Sequence, residues 1–294
     1  MGRLIVNADD FGLTTGVNRA IVELHQAGLL TSTTLMARAP ATAEAIDIAR
    51  STPSLGVGCH VVLVDGEPVL SPRNDIPNLA DPVDGRFVPS LASFLCRLSR
   101  GAFSSGHLVR EIEAETAAQI RLLQSSGVQL THIDTHKHTH MFPSVLRPVL
   151  RAARAAGIQA VRNPFEPGWS LHATHGAPWL RRTQVHLLRG LEPTFRRIVA
   201  EEGFTTTDGS LGVLATGTLD AAAVTSLLQC LPPGTWELVT HPGYNDAALS
   251  QVRTRLLASR EVEREALRVL QRFPKVELTS FADLLHGFET QPAR

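Results

Sequence analysis

Leu4-Ile5-Val6-Asn7-Ala8-Asp9-Asp10-Phe11-Gly12 opens the chain with an apolar run that stops at two adjacent carboxylates. Leu4 to Ala8 reads as a buried strand, and Val17 to Ala27 as a helix ended by Gly28. The same unit recurs downstream. Thr31 to Met36 and Leu55 to Leu63 read as strands around a helix from Ala41 to Arg50, and Leu108 to Ser125 as an amphipathic helix with Ile112, Ile120 and Leu123 among its apolar positions. Further strand-like runs lie at Leu130 to Thr135, Gln159 to Arg162, Trp236 to Thr240 and Val276 to Thr279. Helical runs lie at Ser144 to Ala156, Trp179 to Glu201, Ala221 to Leu231 and Arg260 to Phe273. This alternation predicts an α/β fold with parallel strands, a (β/α) barrel-like single domain over residues 1–294 with roughly seven or eight units and room for irregular closure. A doubly wound open sheet is the alternative that rhythm alone does not separate. Two long loops, 65–89 and the Pro-rich 163–178, both follow strands, so in a barrel they would rise around the catalytic face.

The chain has 294 residues, enough to bury roughly three quarters of its unfolded surface without disulfides. Lys plus Arg equals Asp plus Glu at 28 each, which gives no support to a nucleic-acid partner. Cys59, Cys96 and Cys230 have no C-x-x-C spacing, which argues against a disulfide framework and fits a reducing compartment. The chain opens directly on a strand, Gly2 lacks the myristoylation context, and no apolar run approaches a membrane span, so the expected location is cytoplasmic. Transient contact with a membrane surface and homo-oligomerisation stay open.

Three clusters carry chemistry. An Asp after a strand commonly caps the next helix, but two neighbours, Asp9 and Asp10, repel each other and call for a cation or for different roles. His60, alone in an apolar strand, reads by itself more readily as a hydrogen-bonded core residue than as a ligand. In Thr131-His132-Ile133-Asp134-Thr135-His136-Lys137-His138-Thr139-His140, alternate residues share parity, and while the chain stays extended they face one side of the sheet. A polar surface strand is the bland reading of that tract. Converging imidazoles and a carboxylate without thiolate suit zinc or another divalent first-row ion at a hydrolytic site. His241, in Thr240-His241-Pro242-Gly243, stands at another strand end, where it serves either as a proton donor or as a turn residue.

Together these segments resemble the YdjC-like family of carbohydrate deacetylases, through Val6 to Gly12, Thr31 to Thr34, Gly58-x-His60, Thr131 to Pro143 and Thr240 to Gly243. The resemblance implies a divalent ion, zinc or magnesium, held by Asp10, His60 and His136, with Asp9 as general base and His241 as general acid. His138, His140, Arg162 and Trp169 are expected on the substrate side, the two histidines near the ion without binding it. Val61 to Leu70 resembles the branch associated with hopanoid biosynthesis, which implies an N-acetylglucosaminyl hopanoid or related glycolipid as substrate; the other branch acts on chito-oligosaccharides. Arg38 stands where many relatives carry Asn. Val69, Leu70, Ile76, Leu79, Phe87, Phe165, Trp169 and Leu171 would supply an apolar mouth for the aglycone. A barrel hydrolase acting on another bond, such as a phosphoester, and a non-catalytic sugar-binding protein are the competing classes; the latter has no need of the Asp9-Asp10 pair.

Overall fold

Period-two alternation sorts the first strand, β1 (Gly2–Phe11), into two faces. In the computed structural model, which describes residues 2–101, 106–174 and 176–286, Leu4, Val6 and Ala8 join the large apolar core beneath the helices. Ile5 instead belongs to a small cluster with Ala160, Phe281 and Leu284. Asn7 and Asp9 share the parity of Ile5 and point to the same inner side.

The other strands are β2 (Ser32–Leu35), β3 (Gly56–Val61), β4 (Leu130–Thr135), β5 (Gly209–Leu211), β6 (Gly234–Thr240) and β7 (Glu277–Thr279). All pairings among them are parallel, in the order β4-β3-β2-β1-β6-β5, with β7 on the first half of β1. Strands β1 to β4 pair in sequence, and β5 and β6 lead back to β1. That cyclic order belongs to a barrel and not to a doubly wound sheet, whose order reverses at its middle. Between β4 and β5 the wall is carried by isolated bridges, Ile133 with Val161 and Ala160 with Thr205. The strand expected at Gln159 to Arg162 shrinks to these bridges because Pro164 follows, lacks an N–H and restricts Asn163. The barrel is therefore irregular, as expected.

The helix read over Trp179 to Glu201 breaks into Trp179–Leu188 and Glu192–Glu201, with Gly190 and Pro193 at the break. Arg260 to Phe273 begins as an α-helix, Ser259–Ala266, and tightens to a 3₁₀ turn, Leu267–Arg272. The helix Leu91–Gly101 and strand β5 had no counterpart in the sequence reading. Among the described residues no helix is long and apolar enough to cross a membrane.

The helix Phe281–His286 plugs the barrel floor. The Phe281 ring stacks on His132 with centroids 3.9 Å apart and planes 12° from parallel. A Cβ on Gly58 would lie 2.5 Å from the His132 ring, so the glycine of Gly58-x-His60 is the space that His132 occupies. This layer is the base on which the polar site stands.

Candidate metal centre

In an ideal strand Asp9 and Asp10 would face opposite sides. The register of β1 against β2 shifts between Ala8 and Phe11, and Asp10 takes a left-handed φ of 65°. Both carboxylates thereby come within reach of His60. Register places His60 beside Asp134 at the ends of β3 and β4, and the chain then leaves the strand.

That departure corrects the parity reading of the histidine tract. Residues His136–Met141 form a 3₁₀ turn, with Lys137 and His138 left-handed at φ 55° and 53°. Only Asp134 and His136 stay at the site. His132 lies one layer below it, and burial holds its pKa down at about 3, neutral. His140 folds inward, with Nδ1 2.8 Å from the Thr135 hydroxyl and Nε2 3.2 Å from the Arg162 carbonyl oxygen. His138 is half-buried, and its Nδ1 has no partner among the described residues.

Three donor atoms converge. His60 Nε2 lies 3.3 Å from His136 Nδ1 and 3.6 Å from Asp10 Oδ1, and His136 Nδ1 lies 3.5 Å from that oxygen. For bonds of about 2.0–2.1 Å, a tetrahedral site has ligand–ligand edges of about 3.4 Å and an octahedral one about 2.9 Å. The residues therefore fit a divalent ion. Asp9, His60 and Asp134 form a second grouping within reach of one another. Most of its acceptor capacity is committed: Arg162 donates to both oxygens of Asp9, which leaves capacity at Oδ2 on the His241 side, and Asp134 is shared between His60 and Arg162. The first set has free donors and is the better site.

Each of these groups is held from behind. His60 Nδ1 lies 2.8 Å from Asp134 Oδ1, which fixes its ring and leaves Nε2 facing Asp10 and His136. Burial lowers the His60 pKa, but Asp134 and the two neighbouring aspartates outweigh it and raise it to about 9, so an incoming cation displaces a proton. Asp10 Oδ2 accepts from Arg260 Nη2 at 2.6 Å. Burial favours neutral Asp10, yet Arg260 and His136 prevail and hold it well below the usual carboxylate range. Asp9 is gripped by Arg162 and also accepts from Asn7 at 3.0 Å and the Thr34 hydroxyl at 3.2 Å. Burial again opposes the charge, and Arg162 overcomes it to keep Asp9 ionised.

His241 Nε2 lies 3.8 Å from Asp9 Oδ2, and its Nδ1 lies 3.6 Å from Glu263 Oε2, which also accepts the His241 backbone N–H at 2.7 Å. Burial disfavours the imidazolium, but Glu263 outweighs that and raises the pKa. Lys137 closes the rim: its ammonium donates to Asp65 at 2.6 Å, tying the 65–89 loop to the turn that carries His136.

Two expected substrate contacts sit elsewhere. Arg162 is fully buried, with its nitrogens given to Asp9, Asp134 and Glu237, so it organises the site from behind. Trp169 packs edge-on against Trp236 at 5.3 Å, and Trp236 pairs with Leu4, toward the far end of β1 from Asp9. The apolar mouth is corrected in the same way. Phe165 is buried and Trp169 packs against the core. Ile76, Leu79 and Phe87 are buried and Val69 and Leu70 pack against the core, where Glu115 and Glu111 accept the backbone N–H groups of Val69, Leu70, Asn78 and Leu79 and pull the 65–89 loop inward. Arg38 pairs with Glu67 at 3.4 Å on the exposed side. Sequence reasoning did not assign Asp134, Glu237, Arg260 or Glu263. Glu237, a charge inside an apolar strand run, was the available signal for one of them.

A family model described as YdjC-like protein matches residues 3–271. A carbohydrate deacetylase of Brevibacillus brevis is 41% identical over 167 residues, which cover 55% of this chain and 60% of that protein. Another, from Thermoanaerobacter pseudethanolicus, is 28% identical over 274 residues, 91% of each chain. Among solved structures, one from Enterococcus faecalis, provisionally described as a cellobiose-phosphate cleavage protein, superposes with a TM-score of 0.75 at 26% identity, covering 96% of this chain and 98% of that one. A lactam utilization protein from Thermus thermophilus, with a TM-score of 0.51 at 16% identity over 95% of this chain and 99% of that one, shares the fold alone.

Proposed function

The chain belongs to the YdjC-like protein family, and on that premise we propose that it is a metal-dependent carbohydrate N-deacetylase acting on an N-acetylated amino sugar. The observation that carries the reading is the cluster of Asp10, His60 and His136 donor atoms 3.3–3.6 Å apart, with Asp9 and His241 beside it and outside it. A sugar-binding module has no use for a second ionised aspartate there.

A divalent ion at these donors would supply Lewis acidity toward the amide carbonyl and acidify a water. Asp10, His60 and His136 would hold it. The two imidazoles and the tetrahedral spacing favour zinc or a similar first-row ion over magnesium, which prefers octahedral oxygen. Asp9 orients the attacking water and takes its proton. Arg162 keeps Asp9 ionised and aimed, while its charge is shared with Asp134 and Glu237. His241, whose pKa Glu263 raises, gives its proton to the departing amine.

The finer substrate reading is an N-acetylglucosaminyl hopanoid or related glycolipid. It rests on the resemblance of Val61 to Leu70 to that branch, a segment held at Val62 by the Gln119 amide through hydrogen bonds of 2.9 and 2.7 Å. Chito-oligosaccharide deacetylation is the second reading, favoured by the buried apolar side chains of the 65–89 loop. Acetate release from glycosylated hopanoids, short chitin oligomers and phosphorylated disaccharides, each with and without chelator, tests the proposal. Chelator-sensitive release with the glycolipid preferred is expected. Preference for chitin oligomers moves the assignment to the second reading, and no release from any acetamido sugar ends it.

A further inference from the structure

Among the described residues the exposed large apolar side chains are few, and they are unevenly placed. Trp179, Leu187 and Leu180 are 76%, 71% and 54% exposed, and all belong to the helix Trp179–Leu188. Trp179, Thr183 and Leu187 follow at i, i+4 and i+8, and Leu180 lies seven residues before Leu187, so the four share one face. The opposite side is anchored by buried Val185 and by Arg182, which donates to the carbonyls of Leu171 and Thr174. Arg181 donates to the Val213 carbonyl at 2.9 Å, just past the end of β5, so the start of the helix stands on the side where the strand ends carry the metal centre.

The whole chain is neutral, but this part of it is not. From Pro167 to Leu191 there is no Asp or Glu, while Arg181, Arg182, Arg189, His172, His175 and His186 are all present. Beside the exposed stripe a cavity of ≈ 400 Å³ is lined by Leu171, His172, Arg182, Thr183, His186 and Arg189. Among the described residues Arg189 Nε, buried there, has no partner. An exposed Trp and two Leu on one face of a net basic, acid-free segment is the pattern of a helix that lies in a membrane interface.

We propose that the helix Trp179–Leu188 is a docking surface for an anionic lipid bilayer, with Trp179, Leu180 and Leu187 entering the headgroup region and the net positive charge of the acid-free segment drawing it to anionic headgroups. A second copy of the chain fits less well, because a two-fold contact would bring two acid-free, arginine-bearing segments together. The surface stands apart from the proposed reaction and does not require a lipid substrate.

Co-sedimentation of the full chain with phosphatidylcholine vesicles, with and without roughly one third phosphatidylglycerol, tests it. Association with the anionic vesicles alone, weakened by salt, is expected. Trp179→Ala with Leu187→Gln should reduce that association at least about tenfold, with an unchanged thermal unfolding midpoint. The proposal is overturned if the wild-type chain ignores anionic vesicles or the double variant sediments with them equally well. It is also overturned if the wild type is a dimer in solution that the double variant converts to monomer.

Discussion

Arg162 holds Asp9 end-on across 153 residues of sequence, with Nη1 2.8 Å from Oδ2 and Nη2 2.6 Å from Oδ1. Both groups are buried, so the fork sets the direction of the carboxylate as well as its charge. Arg162→Lys keeps one positive charge but loses the fork. It is expected to lower kcat by about 10²-fold or more while metal content is retained, since aligned acid–base catalysis contributes about 10²–10⁴-fold. Arg162→Met strands buried carboxylates and should also cost about 3–5 kcal/mol of stability. Steady-state kinetics, metal analysis and denaturant melts on the two variants separate the effects.

The neighbouring aspartates should fail differently. Asp9→Asn is expected to bind metal normally and lose turnover by about 10²–10⁴-fold. Asp10→Asn should lower metal affinity first and recover part of its rate at high metal concentration. Titration with a competing chelator, read beside kcat, checks both; two active variants with normal metal binding would overturn the assignment.

The proton on His241 sets an alkaline limb. Its pKa is raised above 6.5 through Glu263, so the protonated donor persists as pH rises past the ordinary histidine value and is lost only above the raised one. Glu263→Gln removes the group that raises it, and the alkaline limb of kcat should move to lower pH. A pH–rate profile that does not shift would remove the acid role from His241.

Asp134→Asn probes the ligand His60 from behind. The amide no longer accepts as an anion, and metal affinity should fall about 10- to 100-fold, the usual cost of losing a carboxylate partner of a metal-bound histidine. Isothermal titration of the metal-free protein with zinc gives the number directly.

Contiguous motifs were legible, and groups assembled from afar were not. Asp9 and His241 stand out at the ends of strand-like runs, His136 within a dense histidine tract, and His60 only through its place in the Gly58-x-His60 motif. Arg260 and Glu263 sit on a helix that begins with no motif at all, and reach the site from 250 and 22 residues away. Alternation misplaced His138 and His140 because it holds only for extended chain, and the left-handed pair Lys137-His138 ends that regime. The apolar residues of the 65–89 loop were read as a mouth because sequence records their hydrophobicity and not the glutamates that fold them inward.

Asp134 touches both halves of the centre, with one oxygen on His60 and the other on Arg162. Any shift in that carboxylate is therefore felt by the ligand and by the grip on Asp9 together. Thermodynamic linkage makes such a coupling reciprocal. If loading the ion steadies Asp9 for a bound acetamide, then a sugar that engages Asp9 tightens the ion by the same factor. An acetamido ligand too slow to react should slow the chelator-driven loss of metal, and Asp134→Asn should weaken that protection.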